Sequence, residues 1–168
     1  SHRGWGSRKP LTEHTLACDA ASVIASGSLI KSHLFHEIGL MREGLFIDYI
    51  DHDFCWRARR AGYRILVVGR AVLLHRQGMK TRHQIAGRTL VTANYSPMRR
   101  YHIFRNRVWM LRSHGGYFFW LWLYMPLTFL LDLVRMTWLE HASKEKWRAG
   151  MRGLWHGISR PVPPIDWL

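Results

Sequence analysis

Between Arg76 and Arg112 the chain carries nine Lys or Arg and no Asp or Glu, and from Gly115 to Leu131 it carries no charge at all. No other feature constrains the fold as strongly. The first zone repels itself unless an anion neutralises it. The second is crowded with Phe, Trp, Tyr and Leu, and needs either a core to pack on or an apolar surface to lie on. A basic zone that runs into an aromatic, uncharged one is the profile of a membrane-surface element.

The asymmetry extends to the whole chain. Residues 1–75 hold 10 basic and 7 acidic side chains, a net of +3, and residues 76–168 hold 15 and 4, a net of +11. The total of +14 calls for an anionic partner: nucleic acid, anionic lipid or a phosphorylated substrate. At 168 residues the chain has the size of one ordinary domain, and its 48% hydrophobic content excludes intrinsic disorder and low-complexity fibres. Cys18 and Cys55 are too few for a disulfide framework and form no CxxC, which points to a reducing compartment. Residues 1–13 are polar, so no signal peptide is visible. The chain does not begin with Met, as expected of a processed, tagged or cropped product. No internal repeat is present.

A coarse reading of elements follows from periodicity and punctuation. Residues 1–14 read as loop. Residues 20–30 are small and β-branched around Ser26-Gly27-Ser28, which predicts a buried strand that bends at the glycine. Residues 32–38 have helical spacing, with Ser32 able to cap and Gly39 to stop the helix. Residues 45–50 are a short apolar run punctuated by Asp48. A second helix is expected over 51–61, ended by Gly62, followed by strands at 63–68 and 71–74. This alternation predicts an α/β layer structure. Residues 95–113 read as a basic amphipathic helix, with Tyr101, Phe104, Val108 and Leu111 on one face and Arg100, Arg107 and Arg112 around it. Residues 115–139 read as helix broken at Pro126. The tail ends in an extended Pro161-Val162-Pro163-Pro164 segment.

The candidate chemistry lies between Ser26 and His75. Three carboxylates, Asp48, Asp51 and Asp53, fall within six residues. Asp51 stands after an apolar run at the mouth of a helix, where α/β folds bind ligands. Two roles are open to it: general base toward a substrate hydroxyl, or helix cap. Asp53 precedes Arg57 by four residues, the spacing of a helix-surface ion pair. Asp51-His52-Asp53 also fits an Asp-x-Asp metal pattern, which is common by chance. His75 ends an apolar strand, where an imidazole serves either a divalent metal or phosphate, or the structure alone.

The run Ala25-Ser26-Gly27-Ser28-Leu29-Ile30, then Ile38-Gly39, Leu45-Phe46-Ile47-Asp48-Tyr49-Ile50-Asp51, Phe54-Cys55-Trp56-Arg57-Ala58-Arg59, Gly62-Tyr63 and Leu74-His75-Arg76 resembles, in order and spacing, the C-terminal half of family 2 glycosyltransferases. The continuation Tyr95-Ser96-Pro97, Arg99-Arg100-Tyr101 and Phe104-Arg105-Asn106-Arg107 looks like the bacterial rhamnosyltransferases of that family. The resemblance runs from about Asp19 to Pro161. It implies a partial, Rossmann-like GT-A fold over residues 1–94 and amphipathic, membrane-associating helices over 95–168. It implies an inverting transferase that moves a sugar, L-rhamnose from dTDP-rhamnose or a similar nucleotide-sugar donor, to a lipid-linked or surface polysaccharide acceptor of the cell envelope. On that basis Asp51 matches the catalytic base, His75 the histidine that helps hold a divalent cation (Mg2+ or Mn2+), and Ser26, Gly27 and Ser28 a segment lining the cleft. Asp48, Asp53, Arg99, Arg100, Arg105 and Asn106 join them as substrate-binding candidates. A sugar hydroxyl needs a base within hydrogen-bond reach, and the departing diphosphate needs cationic stabilisation. A helix mouth behind Asp51 favours an ionised carboxylate. Ile50 stands where many family members carry an acid, as is usual in the rhamnosyltransferase branch.

Nothing in the chain corresponds to the family's N-terminal half, with its nucleotide-binding strands and Asp-x-Asp motif. A fragment, a truncated product or one part of a split enzyme is therefore expected, and the isolated chain is expected to be inactive. Residues 115–131 fall short of the roughly 20 residues that span a bilayer, which favours an interfacial helix with Trp120, Trp122 and Tyr124 at headgroup depth. The basic zone would then face anionic lipid at the cytoplasmic face of the bacterial inner membrane. Packing of this stretch against the α/β body is the alternative. Arg99, Arg100, Arg105 and Asn106 would either contact an acceptor diphosphate or form a solvated positive face. Two rival classes remain: a non-catalytic, membrane-associated remnant of such an enzyme, and a nucleic-acid-binding module. The second shows no recognition signature and leaves Asp48, Asp51 and His75 unexplained, so nucleic acid is not an expected partner.

Overall fold

A computed structural model describes residues 17–73, 81–85, 88–92, 94–140 and 142–167. The loop expected at 1–14, together with Leu74, His75 and Arg76, lies outside the described residues. In chain order the elements are β1 (Cys18–Asp19), α1 (His33–Ile38), a 3-10 turn (Glu43–Leu45), α2 (Ile50–Arg60), β2 (Leu66–Val67), β3 (Thr81–Ile85), β4 (Arg88–Thr92), α3 (Pro97–His114), α4 (Leu121–Trp138) and α5 (Ser143–Ser159). The chain is α/β but mostly helical. Its strands form two antiparallel pairs: β1 with β2, Cys18 opposite Val67, and β3 with β4, Thr81 opposite Thr92. The described residues divide into two compact units. One comprises 17–44, 50–73 and 164–167; the other comprises 45–49 and the described residues of 81–163. The hairpin β3–β4 and the 45–49 segment thus group with the helices, although both precede the expected division at residue 94.

In the first unit α1 packs on α2. Leu34 and Ile38 meet Phe54 and Ala58, and the Phe35 and Phe54 rings lie 5.3 Å apart. Fully burying side chains of this size contributes about 1.5–3 kcal/mol each. Gly39 ends α1 at φ 78°, and a Cβ there would stand 2.3 Å from the Ile165 side chain. The C-terminal segment runs across this corner, with Leu40 N–H donating to the Asp166 carbonyl at 2.7 Å. Ser32 does not cap: its backbone is already helical and its hydroxyl makes no capping bond.

The strand expected over 20–30 does not form. Ser28 N–H donates to the Ala25 carbonyl at 2.9 Å, its hydroxyl to Ile24 at 2.7 Å, and Gly27 sits at φ 76°. Ile24 and Leu29 are exposed. A strand needs a neighbour, and β1–β2 offers a ladder of only two residues. For the same reason the strand expected at 63–68 shrinks to Leu66–Val67, and Ala71, Val72 and Leu73 form none. A layered sheet is therefore absent among the described residues.

In the second unit α3 begins at a built N-terminus. The Ser96 hydroxyl accepts from Arg99 N–H at 3.3 Å, and proline opens the first turn. The expected ring of surface arginines is corrected here. Arg100 and Arg107 are buried against acids that come from further along the chain. Arg100 pairs with Asp132 and Glu140, and Arg107 with Asp132 and the Tyr49 hydroxyl. Buried guanidinia persist only when paired and hydrogen-bonded.

Helix α4 is continuous through Pro126, against the expected break. The proline lies in the second turn, so only one helical bond is lost, on the exposed face at Trp122 where water can replace it. The helix has two apolar faces. Leu121, Met125 and Met136 are buried, and Phe129 packs on Phe104 at 4.6 Å, while Leu123, Leu127, Leu130, Val134 and Trp138 face outward. Among the described residues no helix is long and apolar enough to cross a membrane. Helix α5 lies on α3 through Gly150, Gly153 and Gly157, all buried. At Gly153 a Cβ would approach the Tyr101 carbonyl oxygen to 2.2 Å.

Candidate functional site

In the first unit Asp51 is the second residue of α2, inside its first turn. It does not cap the helix, and it makes no hydrogen bond or ion pair among the described residues. Its side chain is half-buried. One turn along, the Cys55 thiol contacts the Val23 carbonyl at 3.7 Å, which brings the segment leading to Ser26–Ser28 against the same helix. Burial pushes the Cys55 thiol upward, with the Asp51 charge adding to it. Ser26, Gly27 and Ser28 form a solvent-facing turn.

Asp53 is not the surface pair that its spacing with Arg57 suggested. It is fully buried, held by Arg57 Nε at 2.9 Å and by Arg42 at 3.4 Å. Arg57 in turn donates to the carbonyls of Ile38, Gly39 and Leu40, so the Asp53–Arg57 pair closes the end of α1. This carboxylate fixes the fold and faces no solvent.

The 45–49 segment, in the second unit, carries three non-glycine residues at positive φ: Phe46 at 62°, Asp48 at 61° and Tyr49 at 69°. Each costs on the order of 1 kcal/mol or more. Asn106 holds the segment in place. Its buried amide donates to the carbonyls of Leu45 at 2.9 Å, Ile47 at 2.8 Å and Asp48 at 3.1 Å. Arg105 donates to the Asn106 side-chain oxygen and to the Leu45 carbonyl, and lies over the Trp109 ring at 4.1 Å. Arg99 and Asp48 form a bidentate pair, both contacts at 2.9 Å, and Arg99 also stacks on Tyr95.

The structure therefore sorts the nominated residues. Asp48 and Arg99 are joined to each other, half-exposed. Arg100, Asn106 and Asp53 are buried inside pairs or backbone contacts, which corrects their reading as groups facing a substrate. Of the three clustered carboxylates, Asp51 alone is accessible and without a cation among the described residues. His75 lies outside the described residues. Tyr49, Arg107 and Asp132 form a largely buried triad that spacing could not reveal, since they stand tens of residues apart. Burial pushes the Tyr49 hydroxyl up, and the Arg107 charge partly offsets this. Among the described residues no three His, Cys, Asp or Glu side chains converge as metal ligands.

Over 104 residues the chain is 31% identical to the dTDP-rhamnosyl transferase RfbF of Shigella flexneri. The match covers 62% of this chain and 34% of that protein, so the chain spans about a third of the length of the curated relative it matches. The similarity supports a glycosyltransferase-like relationship. No family model and no solved structure matches the chain.

Proposed function

We propose that this chain is the acceptor-side part of an inverting family 2 glycosyltransferase with a partial GT-A fold, and that Asp51 is its base. One observation carries the reading. Of three carboxylates clustered in sequence, Asp48 and Asp53 are taken by arginines, and Asp51 is left accessible at the start of α2. The partial similarity to a rhamnosyltransferase supports a nucleotide-sugar donor. A dTDP-rhamnose-like donor and a lipid-linked or surface polysaccharide acceptor are the finer proposal.

The step is then a single displacement. The acceptor hydroxyl gives its proton to an Asp51 carboxylate oxygen as its own oxygen bonds to the anomeric carbon. The bond from that carbon to the diphosphate oxygen breaks, and the nucleoside diphosphate leaves with the electron pair. Attack opposite the leaving group inverts the centre. The turn at Ser26–Ser28, just beyond the Val23 contact with α2, offers the Ser26 hydroxyl to either sugar, the Ser28 hydroxyl and N–H being spent within the turn. Among the described residues no cation site forms; His75 is the proposed ligand, and a metal titration of His75→Ala tests it.

Residues 95–168 are proposed to dock the enzyme peripherally on the cytoplasmic face of the inner membrane. The outward apolar stripe of α4 and the chain's excess positive charge support this. The test of the central reading is transfer from dTDP-rhamnose, by the chain alone and when co-expressed with the products encoded beside it. In a complete enzyme that contains this segment, Asp51→Asn is expected to abolish transfer while the fold and donor binding persist. Full turnover in that variant removes the assignment.

A further inference from the structure

An open groove of about 430 Å³ runs between α3 and α5, lined chiefly by Met98, Tyr101, His102, Arg152, His156 and Arg160. No Asp or Glu lines it. Arg152 is exposed and makes no hydrogen bond or ion pair among the described residues. Arg160 Nη2 lies 3.4 Å from His156 Nε2, and His156 Nδ1 lies 2.8 Å from the Tyr101 hydroxyl. With Arg160 as donor, Nε2 must accept, so the proton of the neutral ring sits on Nδ1 and points at the Tyr101 oxygen. The Tyr101 hydroxyl keeps its own proton, free to donate to a ligand.

The groove is also positive without compensation. His156 is held below the ordinary histidine range by burial and by the charges of Arg160, Arg152 and Arg105. His102 is held low by burial and Arg105, with Asp48 opposing, and its Nδ1 is buried without a hydrogen bond. Of the four residues expected to meet an anion, Arg100 and Asn106 are buried, Arg99 is paired with Asp48, and Arg105 is bonded to Asn106 and the Leu45 carbonyl.

We propose that this groove binds a diphosphate group. The positive field and the donor set select an anion. Arg152 lies on α5 and Arg160 directly follows the helix, eight residues on and about 12 Å along its axis, and both line the groove, a spacing that suits a ligand larger than one phosphate. Each guanidinium can grip one phosphoryl group bidentately, and the Tyr101 hydroxyl completes the shell. The site stands whether or not Asp51 acts as a base, because it lies wholly within α3, α5 and the residue after α5. The same chemistry serves a soluble diphosphate and a lipid-linked one.

The test is calorimetric titration of the chain at physiological salt with inorganic pyrophosphate, inorganic phosphate and farnesyl diphosphate in detergent. No transfer assay is involved, so failure here and failure of the transferase reading are separable. Pyrophosphate is expected to bind at least about tenfold more tightly than phosphate. Arg152→Gln and Arg160→Gln are each expected to weaken it about fivefold or more, while Arg148→Gln, on α5 outside the groove, changes it less than about twofold. Farnesyl diphosphate binding more tightly than pyrophosphate assigns a lipid-linked source, and equal binding a soluble one; either supports the site if Arg152→Gln weakens it. Absence of saturable pyrophosphate binding into the millimolar range overturns the proposal. So does an equal loss in Arg148→Gln, which would mark a diffuse charge effect.

Discussion

Gly153→Ala gives the most direct test of how α5 meets α3. A Cβ at 153 would lie 2.2 Å from the Tyr101 carbonyl oxygen, 2.9 Å from its carbon and 3.1 Å from its Cα. The obstacle is helix backbone, which cannot rotate away, so α5 must retreat by about 1 Å to restore contact distance. Overpacking of this kind costs about 1–3 kcal/mol, and a backbone clash belongs at the upper end. Alanine returns about 1 kcal/mol of helix propensity relative to glycine. The net is about 2 kcal/mol of destabilisation, a fall in Tm of about 4–8 °C for a chain of this length. Gly150→Ala is the internal comparison. There the Cβ meets the Phe104 ring at 2.9 Å, a side chain rather than backbone, so a smaller loss than at Gly153 is expected. Gly116 has nothing within 4 Å and should tolerate alanine. The assay is thermal and guanidinium unfolding followed by far-UV circular dichroism. A Gly153→Ala chain as stable as the parent, or more so, would refute the close α3–α5 crossing and with it the shape of the groove above it.

Asn106→Asp keeps the size of the side chain but removes both amide protons and sets a charge against three carbonyls; a loss of about 3 kcal/mol is expected, with faster proteolysis at 45–49. A urea midpoint equivalent to less than about 1 kcal/mol of change would show that the strained segment does not depend on Asn106. His102 and His156 are both depressed below 6.5, so below that pH the unfolded chain takes up protons that the folded chain does not. The contribution of the two rings is therefore flat above 6.5 and stability declines as pH falls below it; the decline should shrink in His102→Gln/His156→Gln, and a Tm unchanged on lowering the pH through this range would contradict the desolvation of these rings. On liposome flotation the chain should require anionic lipid, and Leu127→Asp should abolish flotation, because Leu127 sits mid-stripe on the outer face of α4; recovery unaffected by lipid charge or by the substitution would count against docking.

The elements that were legible in the sequence are those set by local rules. Gly39 and Gly62 mark the ends of α1 and α2, the Ser96-Pro97 step opens α3, and the helical spacing of Tyr101, Phe104 and Val108 locates it. Asp51 falls at the start of α2 within one residue of expectation. What was not legible depends on distant partners. Residues 20–30 have strand composition, but composition does not create a neighbouring strand to pair with. The stretch from Arg76 to Arg112 reads as uncompensated charge because its acids, Asp132 and Glu140, arrive on and after the next helix. Asp53 looks like a surface residue by spacing, yet Arg42 and the carbonyls that end α1 draw its partner Arg57 inward. Nothing in a window around Asn106 indicates that its amide will meet carbonyls some sixty residues earlier.

A charged group in this chain is either matched inside the protein, as at Asp53, Arg100, Arg107, Asp132, Glu140 and Lys146, or left to meet something from outside. Matched groups resist function, because removing a partner strands a buried charge at about 3–5 kcal/mol. Unmatched, accessible groups have their capacity intact. In the first unit that description fits the carboxylate of Asp51, and in the second the guanidinium of Arg152 with the Arg160–His156–Tyr101 chain beside it. One is suited to receive a proton and the other to hold an anion. Both are properties of side chains that folding left unneutralised, and this ties the two proposals to the packing rather than to the motif.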